Sequence, residues 1–274
     1  MVGDLRRAIA AALAGPLLLW PAAETAAQDI SAGRAADRAV ESWLNRPGAV
    51  ERAADGQVLR VFDFAASEAR SFLFPVTAER GLPDGWAPID LTNRLGHPTH
   101  SAVADDLALL FRSAAQDGVS ITIISGFRSA SYQTVLFERA VQRQFERANG
   151  AIDRAEAEQR AARFVARPNH SQHQLGTAVD LSGPEIGYGI GREFAATTAA
   201  GWLARRSWEF GFVIPYTEAG TRETGYIYEP WHLRWVGRQL AELLEREGYQ
   251  SSETLVVDRY LEAVERWLDR TGVE

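Results

Sequence analysis

The fold is decided by residues 171–180, which are Ser-Gln-His-Gln-Leu-Gly-Thr-Ala-Val-Asp. From Gly176 onward, small or acidic residues alternate with larger ones, a period of two that predicts a half-buried strand. Gly176, Ala178 and Asp180 then share one face, where small side chains allow a metal ion and a peptide backbone to approach. We therefore expect Asp180 to present its carboxylate from a strand and His173 to lie in the loop before it.

A second segment, residues 229–232, is Glu-Pro-Trp-His. Its proline restricts the preceding residue to extended or turn conformations, so the segment is expected to begin outside a helix. His173, Asp180 and His232 together offer two imidazoles and one carboxylate, which leave the fourth position of a tetrahedral zinc ion open, as in catalytic sites. Glu229 is placed to move protons at that position. The sequence therefore predicts a metallohydrolase with one zinc ion.

Three motifs also give the chain a family resemblance. Residues 171–180 follow the pattern Ser-x-His-x-x-Gly-x-Ala-x-Asp, residues 229–232 follow Glu-x-x-His, and residues 125–129 are Ser-Gly-Phe-Arg-Ser. The chain resembles the zinc D-alanyl-D-alanine carboxypeptidases that include the vancomycin-resistance enzymes, and their L,D-carboxypeptidase and endopeptidase relatives. The resemblance covers residues 82–260 and implies the fold that these enzymes share with the Hedgehog signalling domain.

The resemblance implies two catalytic residues beside the three zinc ligands. Glu229 matches the catalytic carboxylate, and Arg128 matches the arginine that binds and polarises the scissile carbonyl. Each has a simpler alternative, since Glu229 could only orient a ligand and Arg128 could be an ordinary surface residue. The apolar run at 121–124 just before the arginine motif favours a strand that ends at a site, and no other carboxylate in the motifs is available for proton transfer.

The resemblance further implies three residues that hold the peptide or its terminal carboxylate: Gln133, Ser171 and Tyr216. Relatives often carry an arginine immediately before the tyrosine, whereas this chain has Pro215. The departure leaves open how the substrate carboxylate is held, and it gives some weight to endopeptidase action.

The remaining histidines are interpreted structurally. His170 lies three residues before a predicted ligand and is expected to line or orient that loop. His97 and His100 precede an apolar helical pattern, for which Thr99 or Ser101 is a suitable N-cap. All three are therefore left out of the site.

Composition restricts the class of protein. A chain of 274 residues can bury a substantial core, and one main domain with additions is the natural expectation. The chain has no cysteine, which excludes disulfides and thiolate metal sites. The net charge is −7 and every basic side chain other than histidine is an arginine. Because no basic run occurs beyond the N-terminus, nucleic acid is not expected as a partner.

The N-terminus has the pattern of a secretory signal peptide. Arg6 and Arg7 precede an apolar run at 8–20, and small residues follow as far as Ala27. The run is shorter than the about 20 residues that a membrane-spanning helix needs. We expect cleavage near Ala27, no membrane span afterwards, and a periplasmic or extracellular location. The alternative is a buried or frayed N-terminal helix.

The chain is predicted to divide into a signal peptide at 1–27, an accessory segment at 28–81, a zinc peptidase domain at 82–263 and a helix end at 264–274. The accessory segment is either a small layer or a flap over the cleft, with a helix at 35–44 and a hairpin of 58–64 with 71–76. Further helices are predicted at 102–116, 131–147, 153–164, 194–210, 237–247 and 253–268. Short strands among helices without regular alternation indicate an α+β fold with a small antiparallel sheet.

The predicted function is zinc-dependent hydrolysis of peptidoglycan stem peptides, with release of a terminal D-amino acid. The bond that is cut stays open between a D-Ala-D-Ala bond, an L,D bond and a cross-link. A non-catalytic zinc module that binds the cell wall is the alternative from another class. Such a module has no need for Glu229 and Arg128 beside an open metal position, so the enzyme is favoured.

Overall fold

A computed structural model describes residues 22–253 and 256–273, with side chains from residue 28 onward. The signal-peptide prediction therefore lies almost entirely outside the described residues. Its proposed boundary at Ala27 falls inside the first helix, Ala22–Leu44. No helix in the described part of the chain combines the length and apolar character needed to cross a bilayer.

Helices form most of the regular structure. The α-helices are α1 (Ala22–Leu44), α2 (Ala66–Phe72), α3 (Ser101–Gln116), α4 (Ala130–Arg147), α5 (Arg154–Ala162), α6 (Thr198–Arg206), α7 (Thr221–Thr224), α8 (Arg238–Glu247) and α9 (Val257–Thr271). Short 3₁₀ turns occupy Gln172–Leu175, Pro184–Ile186, Arg192–Ala196, Ser207–Phe210 and Tyr249–Ser251. The predicted boundary between residues 263 and 264 falls inside α9.

Short antiparallel strands complete the fold. They are β1 (Val50–Arg52), β2 (Val58–Val61), β3 (Phe64–Ala65), β4 (Leu91–Thr92), β5 (Thr99–His100), β6 (Thr122–Ser125), β7 (Ala178–Ser182), β8 (Phe212–Val213) and β9 (His232–Trp235). They form a three-stranded sheet β1-β2-β3, a pair β4-β5 and a four-stranded sheet in the order β6-β7-β9-β8. The predicted α+β class with a small antiparallel sheet flanked by helices is confirmed.

The register of the four-stranded sheet aligns three polar residues of the motifs across neighbouring strands. Ser125 on β6 pairs with Asp180 on β7, and Asp180 pairs with His232 on β9. Residues directly opposite one another in an antiparallel pair point to the same face, with Cβ atoms about 5 Å apart. Two predicted ligands from distant parts of the sequence are therefore neighbours across the sheet.

Three sequence predictions about local structure are wrong. β7 is buried along its whole length rather than half-buried, because it is central in the sheet and Val179 and Leu181 pack into the main core. Residues 71–76 do not pair with 58–64, since α2 occupies 66–72 and β2 pairs with β1 and β3 instead. The N-cap of α3 is His100, whose side chain accepts from the Ala102 N–H at 3.3 Å.

The helix predicted at 194–210 is divided into three pieces. Thr197 interrupts it, because its hydroxyl accepts from the Ala200 N–H at 3.1 Å and so begins α6 as an N-cap. A 3₁₀ turn precedes this cap, and another follows α6 until Gly211 ends the segment with a φ of +81°. The apolar periodicity was correct. The side-chain hydrogen bonds of Thr197, however, begin a new helix at this position instead of continuing the preceding one.

The segment at 28–81 packs into the same core as the sheet. Phe64 and Phe72 contact Trp235 of β9 with ring centroids 5.3 and 5.6 Å apart. Arg234, which is fully buried on the same strand, donates to the carbonyl oxygens of Phe72 at 3.2 Å and Phe74 at 2.6 Å. The strand that carries His232 is thus held from behind by the N-terminal segment.

A buried carboxyl group accompanies that arginine. Asp258 on α9 is 9% exposed, and its Oδ1 has no hydrogen-bond partner among the described residues. Burial raises the pKa of Asp258 to about 7, against an opposing effect of Arg234. Burial also lowers the pKa of Arg234 to about 10, so the guanidinium stays charged at neutral pH. Asp258 is therefore a buried group whose charge changes near neutrality.

We expect Asp258→Asn to flatten the pH dependence of folding. The folded state holds a proton on Asp258 up to a pH of about 7, whereas the unfolded chain releases it near the usual aspartate pKa of 3.8. The wild-type free energy of unfolding should therefore fall as pH rises through this window, by up to about 4 kcal/mol. Urea unfolding at several pH values measures this. Exposed Asp105→Asn should behave as wild type, and an unchanged slope in Asp258→Asn would contradict the assignment.

Candidate active site

Three predicted ligand residues converge in the structure. His173 Nε2 lies 3.2 Å from Asp180 Oδ1 and 3.1 Å from His232 Nδ1, and His232 Nδ1 lies 3.0 Å from Asp180 Oδ1. A tetrahedral zinc ion with bonds near 2.0–2.2 Å separates its ligand atoms by about 3.3 Å. The triangle of donor atoms, all on buried side chains, therefore matches the size of a single-ion site.

Local backbone geometry positions His173. It lies in the 3₁₀ turn Gln172–Leu175, which ends at Gly176 with a φ of +76°. A Cβ at Gly176 would also lie 3.1 Å from the Leu91 side chain and 3.3 Å from the His100 nitrogen. Glycine is needed here both for the left-handed conformation and for the close approach of β5. This turn brings the histidine back over the start of β7.

Each histidine is oriented by a hydrogen bond from its other ring nitrogen. His173 Nδ1 donates to the Gly126 carbonyl at 2.7 Å, and His232 Nε2 donates to Gln172 Oε1 at 3.1 Å. A carbonyl oxygen can only accept, so each donation leaves the facing nitrogen with a free lone pair. Gln172 was missed by the sequence analysis, in which its position beside His173 was the only signal.

Gln172→Ala is expected to weaken zinc binding by about 10-fold to 100-fold, as removal of a ligand's orienting partner typically does. The variant leaves all three ligands in place but frees the ring of His232 to rotate. Competition with a chromogenic chelator gives the affinity. Gln174→Ala is the matched control, because Gln174 is buried in the same turn but bonds to Trp86 and Asn169. Equal affinities of the two variants would show that Gln172 does not orient His232.

Charge in the cluster is arranged for metal binding. Burial, with help from the Arg128 charge, lowers the pKa of His173 to about 4, so its imidazole is neutral at neutral pH. Burial alone would raise the pKa of Asp180, but the electrostatic interactions with His173 and Arg128 and the close polar contacts with both histidines outweigh it and hold that pKa well below its usual value. A neutral imidazole at His173 and an ionised carboxylate at Asp180 are the protonation states that a metal ion requires of these ligands.

Arg128 contacts the outer side of the cluster. Its guanidinium donates to Asp180 Oδ2, and its Nε donates to Ser125 Oγ at 2.9 Å. Its backbone N–H donates to the His173 carbonyl at 3.2 Å. Arg128 therefore orients a ligand carboxylate, and its side chain still lines the cavity with donors to spare.

Glu229 faces the same cavity without being part of the triangle. Its backbone is held at both ends, because its N–H donates to the Tyr216 carbonyl at 3.0 Å and its carbonyl accepts from the His232 N–H at 3.1 Å. Its carboxyl group has no hydrogen-bond partner among the described residues. Burial and the charge of Asp180 raise the pKa of Glu229 well above its usual value, against the effect of Arg128. Such a carboxyl group has a high affinity for a proton.

Of the three residues predicted to hold the peptide, two line the cavity and one does not. Ser171 and Tyr216 line the cavity, and the Tyr216 ring stacks on His232 with centroids 5.1 Å apart. Gln133 does not line the cavity. It is buried in α4 and donates from Nε2 to the Ala166 carbonyl at 2.8 Å, which attaches the segment after α5 to α4.

The cavity has a volume of about 440 Å³. Several of its lining residues were not predicted from the sequence: Leu136, Arg143, Phe164, Val165, Ala166, Ile190, Tyr226 and Trp231. Most come from α4 and the segment that follows α5, a region for which the sequence predicted only two helices. The α4–α5 hairpin is thus a wall of the site.

The other histidines lie outside the ligand triangle, as their interpretation as structural residues requires. His170 Nδ1 is 3.0 Å from the Thr77 carbonyl, and its ring packs against Gly81. His100 caps α3. The Leu82 N–H donates to the Asn169 carbonyl at 2.8 Å, so residues 77–82 brace the loop that leads to His173.

A buried His-Asp-His triangle that opens into a cavity with a carboxylate and an arginine is the arrangement of a mononuclear zinc peptidase. A family model described as VanY: D-alanyl-D-alanine carboxypeptidase matches residues 96–238, just over half of the chain. The chain belongs to this family, and the resemblance inferred from its motifs is confirmed.

Individual relatives agree with this assignment. A D-alanyl-D-alanine carboxypeptidase of Enterococcus faecalis is 34% identical over 150 residues, which are 55% of this chain and 53% of the relative. The solved structure of a vancomycin-resistance D,D-pentapeptidase VanY variant in complex with Zn(II) is 30% identical, covers 70% of this chain and 99% of its own, and has a TM-score of 0.58. The LdcB LD-carboxypeptidase structure is 25% identical, covers 78% and 93%, and has a TM-score of 0.60. The chain spans about half the length of the curated relatives it matches.

Proposed function

We propose that this chain is a zinc-dependent carboxypeptidase that removes the terminal D-amino acid from peptidoglycan stem peptides, at a D-Ala-D-Ala or an L,D bond. One observation carries the proposal: the His173, Asp180 and His232 donor triangle opens into the cavity that also holds Glu229 and Arg128. Relatives named as D,D- and L,D-carboxypeptidases support the substrate class.

The donor set fits zinc. Two imidazole nitrogens and a carboxylate oxygen are borderline ligands suited to this ion, and the triangle leaves one side facing the cavity. The hydrogen bonds to Gly126 and Gln172 already hold both rings in the tautomers needed. When bound, zinc supplies a Lewis acid that makes water a nucleophile near neutral pH.

The chain's own residues divide the remaining chemistry. Glu229 takes the proton of the attacking water and returns it to the amine that leaves, so each turnover restores the carboxylate. Arg128 keeps Asp180 in place and directs a free N–H toward the oxygen on which negative charge develops. Glu229 is not a ligand, so its proton affinity is free to serve the reaction.

The remaining cavity groups bind rather than react. Burial raises the pKa of the Tyr216 hydroxyl well above its usual value, so it stays neutral and can donate to a peptide oxygen. Ser171 offers a second hydroxyl in the same cavity. Gln133 would act through the Ala166 carbonyl that it holds, rather than by touching the peptide.

Mass spectrometry of purified muropeptides tests the proposal, with the protein incubated with and without a chelator. Loss of one terminal D-alanine that the chelator prevents is the expected result, and the shortened product names the bond. Cleavage within cross-linked dimers would instead establish an endopeptidase. Unchanged muropeptides in the presence of bound zinc would overturn the proposal in favour of a cell-wall-binding module.

Location and domain organisation are part of the proposal. A substrate in the cell wall supports an extracytoplasmic protein with residues 1–27 as its signal peptide, and intact residues 1–27 on the exported protein would refute cleavage. We place the peptidase domain at 82–263, with 28–81 as a bracing segment rather than a flap. The contacts of Arg234 with Phe72 and Phe74 support this role.

A further inference from the structure

Two arginines line the cavity: Arg128, which contacts the triangle of His173, Asp180 and His232, and Arg143. Arg128 is already paired with Asp180 and Ser125, whereas Arg143 on α4 is exposed and faces the same cavity. In the described part of the chain, no carboxylate lies within ion-pair distance of Arg143. This cation is therefore available to a ligand that enters the cavity.

The helix around Arg143 does not neutralise it. The residues four positions away on either side are Arg139 and Arg147, and like charges at this spacing weaken a helix slightly. The nearby acids are engaged elsewhere, since Glu138 pairs with an arginine of α5 at 2.7 Å and Glu146 accepts from a glutamine at 3.2 Å. Stabilisation of α4 therefore does not explain an unpaired arginine at this position.

The position of Arg143 along α4 limits which part of a bound peptide it can contact. α4 begins at Ala130, directly after Arg128, whose backbone contacts His173. Arg143 lies between three and four turns further along, about 20 Å at 1.5 Å per residue. A carboxypeptidase substrate has a single residue after the scissile bond, so a contact further along the cavity would fall on the N-terminal side of that bond.

The wall of the cavity on this side is otherwise apolar. Leu136 of α4 and Phe164 and Val165 after α5 line it, so the guanidinium is the polar group that the hairpin offers a ligand. A guanidinium fork binds a carboxylate through two parallel hydrogen bonds, which gives direction as well as charge. A peptide that runs from the triangle of His173, Asp180 and His232 along α4 would therefore be selected by an acidic group on the N-terminal side of the bond that is cut.

We propose that Arg143 determines specificity by binding a side-chain or α-carboxylate of the substrate peptide on the N-terminal side of the scissile bond. The inference rests on the proposed function. In a stem peptide this carboxylate belongs either to D-glutamate at the second position or to diaminopimelate at the third. Because Arg143 is remote from the reacting atoms, its loss raises KM and leaves kcat unchanged.

Steady-state kinetics with synthetic pentapeptides test this proposal. The reference peptide is L-Ala-γ-D-Glu-L-Lys-D-Ala-D-Ala, and its partner carries D-isoglutamine, which lacks the charge, at the second position. A third peptide has meso-diaminopimelate in place of lysine. Arg143→Gln should raise KM for the acidic peptides by about threefold to tenfold, the range for a partly exposed ion pair. Arg112→Gln is the matched control, because Arg112 is an exposed arginine on α3 outside the cavity.

The outcomes separate the two proposals. If KM rises in Arg143→Gln for the D-glutamate peptide but not for its amide, the second-position carboxylate is the ligand; an effect confined to the diaminopimelate peptide identifies the third position. If wild type cleaves all three peptides and Arg143→Gln matches Arg112→Gln, only the Arg143 inference fails. If wild type cleaves none, the proposed function fails and this inference with it. A lower kcat with unchanged KM would also contradict a binding role.

Discussion

Glu229→Gln is expected to abolish peptide hydrolysis while zinc remains bound. The glutamate contributes no atom to the donor triangle, so its replacement by an amide of the same shape leaves all three ligands intact. An amide cannot take the proton of the attacking water or return it to the departing amine. General acid–base groups contribute about 10²-fold to 10⁴-fold, and we expect a fall in kcat near the upper end. Turnover of a D-Ala-D-Ala peptide and the zinc content of the purified variant are measured together.

Glu218→Gln serves as the control for this variant, because Glu218 has a 78% exposed side chain and lies outside the cavity lining. It should keep both activity and zinc. Full turnover by Glu229→Gln would sink the proton-transfer role. Loss of zinc from the same variant would instead make Glu229 a group that orients a ligand, the alternative that its sequence position leaves open.

The triangle of His173, Asp180 and His232 could be predicted because the sequence around these residues indicates their local structure. The glycine and alternating small residues before Asp180 indicate a strand, and Pro230 places His232 at the start of another extended segment. The pairing of Asp180 with His232 could not be derived, since register depends on contacts between residues 52 positions apart. The resemblance of the motifs to those of a known family predicted that these residues meet in the fold. Local secondary-structure propensity could not predict this.

The N-terminal segment was predicted poorly for the same physical reason. Nothing in the local sequence shows that Phe64 and Phe72, which contact each other, both pack on Trp235 of β9. The fully buried Arg234 was also invisible, because an arginine in a sequence is most simply a surface residue. Only the folded chain shows that it joins β9 to the carbonyl groups of Phe72 and Phe74 at the end of α2.

The wall of the cavity shows a different limit. The helix predicted at 131–147 agrees with α4, Ala130–Arg147, but helical periodicity has a limit. It could not show which exposed positions face solvent and which face a cavity, so Arg143 looked like its neighbours Arg139 and Arg147. Gln133 illustrates the converse, since a position associated with peptide binding is buried and bonded to the Ala166 carbonyl.

His232→Ala should remove both zinc and activity, in contrast to Glu229→Gln. Its imidazole supplies one corner of the triangle, and its loss leaves Asp180 and His173 as a two-residue site and deprives Gln172 of its partner. Ligand that binds only the folded state stabilises by about 4 kcal/mol at a thousand times its dissociation constant. Wild-type unfolding temperature should therefore rise with added zinc, whereas that of His232→Ala should not respond.

The comparison of the two variants assigns the roles, because each predicts a different pair of readouts. Glu229→Gln keeps the zinc-dependent rise in unfolding temperature and loses turnover, whereas His232→Ala loses both. His97→Ala is the control for the loss of a histidine, since His97 lies outside the ligand triangle and the cavity lining. One equivalent of zinc retained by His232→Ala, together with turnover, would show that the triangle of His173, Asp180 and His232 is not the metal site.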